Sequence, residues 1–255
     1  MAVSDFTIDF DRPHRLGFPE VVLGDGKSPG QVVAICRQMS REHDVLVTRL
    51  SPEAWEEISR EPLPGKADYD ARSRTLILRV GKGNRRQRGL VAIVTAGTAD
   101  VVVAEEARRT LDYMGVASTT IADVGVAGVV RLLSRLEEIE RADVVVAVAG
   151  MEASLFSVIG GLIGRPLICV PTSHGYGAHL QGIAAVLAAL NSCANGVTAV
   201  NIDSGYGGAM AAFRILSKGP KTWASPRAND GWVTPPTSTS TARRKASIGK
   251  RRGRS

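Results

Sequence analysis

From Leu90 onward the chain alternates five times between a short β-branched run and a segment of helical period, and this constrains its fold more than any other feature. The runs at 91–95, 117–121, 144–149, 167–170 and 197–201 are followed by helix-period segments at 101–114, 126–140, 152–163 and 179–190 and by a last helix from Tyr206. Strands that each lead into a helix predict an α/β fold of three layers, a mostly parallel sheet of five or more strands with helices on both faces. The third run, Val144-Val-Val-Ala-Val-Ala149, is apolar throughout rather than alternating, as a strand buried on both faces requires.

The flanks differ in character. Residues 1–85 mix turn signals with short apolar runs and predict a small α+β region; their last part, 79–89, holds five basic residues and three glycines and reads as an exposed linker to the α/β domain at 86–216. Residues 217–255 are rich in Pro, Ser, Thr, Arg and Lys and lack the apolar surface to order themselves, so a disordered tail is expected. The formal charge of +7 belongs to that tail, which holds ten basic residues against one acid and leaves 22 against 24 in the other 216 residues. A basic nucleic-acid-binding body is thereby excluded, and only nonspecific tail contacts to phosphates are expected.

No apolar stretch approaches the roughly 18 residues of a membrane helix, and Met1-Ala-Val-Ser-Asp5 has no basic segment followed by an apolar run, so a cytoplasmic protein is expected. Three cysteines without CxxC spacing, Cys36, Cys169 and Cys193, argue against a disulfide framework or a zinc cluster.

Open parallel sheets bind ligands at the carboxyl ends of their strands. Here those ends read Thr95-Ala-Gly-Thr98, Asp123-Val-Gly125, Ala149-Gly-Met-Glu152, Pro171-Thr-Ser-His-Gly-Tyr-Gly177 and Asn201-Ile-Asp-Ser-Gly-Tyr-Gly207. Their small residues (Gly97, Gly150, Thr172, Ser173, Gly175, Gly177, with Tyr176 beside them) would let backbone N–H groups approach an anion; the plain alternative, tight βα turns, carries equal weight for any one loop. Thr98 or Asp100 could cap the first helix, and Asp123 and Asp203 could be turn formers or could meet a ligand hydroxyl or magnesium. Glu152, at the start of the third helix-period segment, would in a first helical turn usually complement the helix dipole, but its place at the central rim of the sheet also permits a general base. No GxGxxG or P-loop is present.

Cys36 and Cys169 fall on a helix and in a strand and read as small buried hydrophobes. Cys193 lies in Asn191-Ser-Cys-Ala-Asn-Gly196, between a helix end and the fifth strand. A free thiol of pKa near 8.5 is only about 3% thiolate at pH 7, and a helix C-terminus does not improve that, whereas a cationic substrate would.

With these residues in view, the stretch from Val91 to Phe213 resembles the carboxylase domain shared by the purine carboxyaminoimidazole ribonucleotide mutases (PurE) and the LarB proteins of nickel-pincer cofactor biosynthesis. Asp123-Val-Gly-Val-Ala-Gly128, Ala149-Gly-Met-Glu152, Pro171-Thr-Ser-x-Gly-Tyr-Gly177 and Cys193-Ala-Asn-Gly-Val197 look like LarB motifs, as do Asp11-Arg-Pro-His-Arg-Leu-Gly17 and Pro19-Glu-Val-Val-Leu-Gly24 in the first region. The Ser-Ala-His-Arg signature of the purine mutases is missing, and His174 departs from the small or apolar residue expected at its place.

The resemblance implies a pyridinium-3,5-biscarboxylic acid mononucleotide synthase. Its substrates are nicotinic acid adenine dinucleotide and CO2 or bicarbonate, and its phosphoanhydride hydrolysis releases AMP. Magnesium is the implied cofactor, and an octamer-like homo-oligomer with sites near subunit boundaries the implied assembly. It also implies that Cys193 adds to the ring as nucleophile while Glu152 takes a proton, and that the loops from Thr95 to Thr98 and from Ser173 to Gly177 hold the phosphates. Asp100, Asp123 and Asp203 become ribose or metal partners, unranked. Two alternatives stand beside this: an aminoimidazole ribonucleotide carboxylase or mutase on the same fold, and a non-enzymatic nucleotide-binding module that uses the basic tail.

Overall fold

The computed structural model describes residues 6–81 and 89–217. The centre of the expected linker and the expected disordered tail beyond Ser217 lie outside the described residues.

The first region contains α1 (Arg12–Leu16), β1 (Val22–Leu23), α2 (Pro29–Met39), β2 (Val45–Thr48), α3 (Pro52–Ile58), β3 (Lys66–Asp70) and β4 (Thr75–Arg79). Ser28 and Ser51, each followed by Pro, cap α2 and α3 by accepting the Gln31 and Ala54 amides, the placement that favours helix initiation. The strands form a sheet in the order β1-β2-β4-β3. Its central strands are buried on both faces, and side-chain alternation divides them. Val45, Val47, Leu76 and Leu78 join a core with Val32, Cys36 and Met39 of α2, whereas Leu46 and Ile77 join the core of the second sheet.

The second region runs β5 (Leu90–Thr95), α4 (Val101–Tyr113), β6 (Ala117–Ile121), α5 (Val129–Leu133), α6 (Leu136–Glu140), β7 (Val144–Ala149), α7 (Leu155–Leu162), β8 (Leu167–Pro171), α8 (Ile183–Leu190), β9 (Val197–Ala199) and α9 (Gly205–Leu216). Its five strands are all parallel, in the order β6-β5-β7-β8-β9. The α/β three-layer fold expected from the alternation is therefore present. Val144, Val146 and Val148 of β7 face the core shared with α4 and α9, and Val145, Ala147 and Ala149 face the one shared with Leu132, Ile139, Phe156 and Ala185. At roughly 1.5–3 kcal/mol for each fully buried Val, Leu, Ile or Phe, these two cores are the main source of stability. Helix α9 crosses α4 closely at Gly205, where a Cβ would lie 2.1 Å from the Val103 carbonyl oxygen.

Helix α4 also carries the first sheet. The buried Arg109 donates to Thr75 Oγ1 and to the Asp68 carbonyl (2.7 Å), and the Tyr113 hydroxyl donates to the Asp44 carbonyl at 2.7 Å. Both sheets thus belong to one compact unit. Among the described residues no helix is long and apolar enough to cross a membrane.

Three expected helices begin late or break. Met151 and Ala153 are left-handed (φ 52° and 49°), so Glu152 sits in a turn ahead of α7 rather than in its first turn. Leu180 and Gln181 are also left-handed (φ 51°), which delays α8 to Ile183. The segment 126–140 divides into a 3-10 turn, α5 and α6, because Gly128 (φ −128°, ψ 57°) and Arg135 (φ −111°, ψ 4°) leave helical angles. The last strand ends at Ala199, two residues short of the expected Asn201.

Candidate active site

The strand order sets where a ligand can enter. After β5 the chain turns to β6 on one side, and after β7 it turns to β8 on the other, so the carboxyl ends of β5 and β7 diverge and leave a crevice. A cleft of about 370 Å3 lies there, lined by Gly97 and Asp100 after β5, Gly125 after β6, Gly150 and Glu152 after β7, and His174 to Tyr176 after β8.

Asp100 ties two of these loops together. It stands at the start of α4 but makes no side-chain cap to that helix. Its carboxylate accepts the Thr172 hydroxyl at 2.7 Å and the Gly97 amide at 2.9 Å. Burial raises the Asp100 pKa above the ordinary carboxylate value, against the opposing pull of Thr172, Gly97 and His174. His174 Nδ1 is buried without a hydrogen-bond partner, 3.8 Å from the nearer Asp100 oxygen. At Gly150 the backbones are in contact: a Cβ there would stand 2.1 Å from the His174 carbonyl oxygen, which also accepts the Met151 amide at 3.1 Å.

Among the described residues, eight non-glycine residues have left-handed backbone. Met151 and Ala153 line this cleft; Arg49, Arg74 and Asp203 line a neighbouring one; Asp123, Leu180 and Gln181 lie in the loops after β6 and β8. Each such residue costs on the order of 1–3 kcal/mol and persists only where its surroundings over-determine it, a pattern that marks functional sites.

The remaining candidates are distributed as follows. Thr95 is fully buried and accepts the Asp123 amide at 3.0 Å, while Thr172 is taken up by Asp100, so both brace loops rather than line the cleft. Thr98 and Gly177 lie beside the cleft without lining it, and Asp123 pairs with Arg131. Asp203 accepts the Ser173 amide at 2.8 Å, and both residues line the neighbouring cleft of about 270 Å3. It is Ser204, not Asp203, that caps α9. Cys193 is exposed on the α8–β9 loop, which is held to α7 by the Ser157–Ser192 hydroxyl pair at 2.8 Å, and it lines neither cleft.

Glu106, Arg49 and Arg74 were not expected in a site. Glu106 is buried on α4 and accepts the Tyr206 amide at 3.0 Å, and burial raises its pKa, with Arg49 and Arg74 pulling the other way. Nothing local in the sequence marks them, because their meeting depends on the first sheet docking against α4. The folded protein therefore holds the Glu106 proton to higher pH than the unfolded chain, whose value is near 4.5. Relative to a Glu106→Gln protein, stability should fall as pH rises from 4.5 through the raised folded value. Urea unfolding of the two proteins between pH 4.5 and 7.5 checks this; a difference that stays flat or grows in favour of the carboxylate contradicts it.

Comparisons with known proteins converge on one family. The model described as "LarB/PurE-like N-terminal domain" matches residues 2–80, and that described as "AIR carboxylase" matches 90–227. An uncharacterized protein of Methanocaldococcus jannaschii is 38% identical over 216 residues, 82% of each chain. The N5-carboxyaminoimidazole ribonucleotide mutase of that organism is 33% identical over 132 residues, which cover 50% of this chain and 79% of the mutase. A crystal structure of a Treponema denticola PurE2 variant aligns with 50% of this chain and 79% of its own, at 21% identity and a TM-score of 0.42.

Proposed function

The chain belongs to the LarB-like family with a PurE-like carboxylase domain, and from that premise we propose that it carboxylates the pyridinium ring of nicotinic acid adenine dinucleotide. It then hydrolyses the phosphoanhydride, giving pyridinium-3,5-biscarboxylic acid mononucleotide and AMP for nickel-pincer cofactor assembly. The observation that carries this reading is the state of the cysteines. Burial pushes the Cys36 and Cys169 thiols up to about 12, whereas Cys193 alone is exposed to meet a substrate.

A pyridinium ring is electron-poor and does not attack CO2. Addition of the Cys193 thiolate at ring carbon 4 turns the ring into an enamine whose carbon 5 is nucleophilic, so one inaccessible step becomes two accessible ones. Carbon 5 then bonds to CO2. Glu152 accepts the proton from carbon 5, the C–S electron pair returns to sulfur, and the ring regains its aromaticity and positive charge. The net change replaces C–H by C–CO2− with one proton released, and no oxidant is needed. The cationic ring itself favours the thiolate.

Among the described residues no three His, Cys, Asp or Glu side chains converge as a metal cage. Magnesium needs none, since it keeps several waters and binds through one or two carboxylates and substrate phosphates. Asp203, which lines the second cleft, would be the carboxylate to hold such an ion, which would screen the anhydride charge; Asp100 is buried with its oxygens taken by Thr172 and Gly97.

Because Cys193 lines neither cleft of its own chain, the mechanism calls for Cys193 of a neighbouring copy. Exposed Ile183, Leu187 and Leu190 run along α8 toward its loop and suit a homo-oligomeric contact. Coassembly of Cys193→Ser and Glu152→Gln chains, each inactive alone, should restore activity; folded mixtures that stay inactive would place both residues in one chain's site.

The mutase relative supports a second reading, aminoimidazole ribonucleotide carboxylation, which would proceed without Cys193. Assay of purified protein with both substrates separates the two: product from the dinucleotide supports the first reading, and turnover of the ribonucleotide alone overturns it.

A further inference from the structure

We propose that the N-terminal domain is part of the substrate site: Arg49 and Arg74 form a second nucleotide subsite, which takes the adenylate half of the dinucleotide. The inference rests on the dinucleotide reading above and adds where the second half binds and what selects it.

The second cleft, about 270 Å3, has two parents. Asp25, Arg49 and Arg74 come from the loops of the first sheet, and Glu106, Ser173 and Asp203 from the carboxylase domain. His174 lines both this cleft and the first, so the two are adjacent lobes around one side chain. The first lobe belongs wholly to the domain shared with the mutase; only the second needs the N-terminal domain.

The two arginines are tied to each other's loops and to the rim. Both have left-handed backbone, φ 53° and 55°. The Arg74 carbonyl accepts the Leu50 amide at 2.8 Å, joining the β3–β4 turn to the loop that carries Arg49. The Arg49 guanidinium donates to the Asp203 carbonyl at 3.0 Å and so binds the N-terminal domain to the catalytic rim. Arg74 is exposed; its charge acts on Glu53 and Glu106, but among the described residues its guanidinium makes no direct hydrogen bond or ion pair that would use up its donors.

The chemistry of the lining suits a nucleotide. Guanidinium groups hold phosphate through paired N–H donors, while Asp25, which also lines the cleft, is an acceptor for sugar hydroxyls. A ligand with a phosphate and a diol satisfies both kinds of group at once. The second lobe, about 270 Å3, is small for a site by itself, but together with the first, about 370 Å3, it falls within the range of small-molecule sites, roughly 300–1,000 Å3.

The test is calorimetric titration of the full chain, wild type and an Arg49→Gln/Arg74→Gln variant, with nicotinic acid adenine dinucleotide, nicotinic acid mononucleotide and AMP. Wild type should bind the dinucleotide about tenfold or more tightly than the mononucleotide, the advantage conferred by charge-assisted hydrogen bonds to a second phosphate. The variant should lose that advantage and bind AMP correspondingly weakly, with mononucleotide affinity kept within about twofold. The single Arg74→Gln change, at an exposed side chain, keeps the test open if the double variant does not fold, and should lose part of the same advantage. A folded variant whose dinucleotide preference is intact overturns the subsite and leaves the proposed activity standing. A wild-type protein with no dinucleotide preference that turns over aminoimidazole ribonucleotide overturns the activity and the subsite together.

Discussion

Replacing Cys193 with Ser is expected to lower carboxylation of nicotinic acid adenine dinucleotide by roughly a thousandfold or more, the scale of losing an obligatory nucleophile, while leaving the fold intact. The side chain is exposed, and its loop is held by Ser192 and Ala194 rather than by the thiol. Serine is nearly isosteric, but its hydroxyl ionises far above neutral pH and cannot add to the ring as an anion. Substrate titration against the variant separates binding from chemistry: the dissociation constant should be nearly unchanged while turnover disappears. Product formation at the wild-type rate would remove the covalent step from the mechanism. Cys36→Ser and Cys169→Ser serve as contrasts. Both thiols are buried, so these changes should cost stability through an added buried hydroxyl without touching the chemical step.

Gly150→Ala is the second change with a large expected effect. The added methyl would meet the His174 carbonyl at 2.1 Å and the Thr172 hydroxyl at 2.7 Å. One of these neighbours is backbone, so the loops after β7 and β8 must separate. Overpacking of this kind costs on the order of 1–3 kcal/mol, and a shift of about 1 Å at a catalytic rim costs roughly a hundredfold in rate. The displaced groups include His174 and Thr172, which holds Asp100. Thermal unfolding should therefore show a modestly destabilised but folded protein, with kcat reduced far more than stability would explain. Gly161→Ala, where a Cβ meets nothing within 4 Å, should leave activity unaffected. Equal behaviour of the two variants would show that the loops yield without consequence for the cleft.

Much of the second region was legible along the chain because its signals are local. A run such as Val144 to Ala149 reports burial on both faces by its composition, and the helix-period segments report one buried stripe each. The rim followed from topology, since parallel strands collect their carboxyl ends on one side. The helix starts were not legible: Met151, Ala153, Leu180 and Gln181 all adopt left-handed backbone that their side chains do not favour, and only surrounding contacts hold them there. Asp100 looked like a helix cap by position and instead bridges two loops through Thr172, 72 residues away.

The amino-acid order alone determined the layers, the rim and the residues with nucleophilic or basic chemistry, because periodicity and residue type are properties of short stretches. The tertiary structure decided which of them share a cavity. Glu152, Asp100 and His174 meet at the switch between β5 and β7, and Cys193 does not line that cleft. Arg49 and Arg74 reach the neighbouring cleft only because Leu46, Ile77 and Arg109 dock the first sheet on α4. That docking depends on shape and burial across residues far apart in the chain, and no local pattern encodes it.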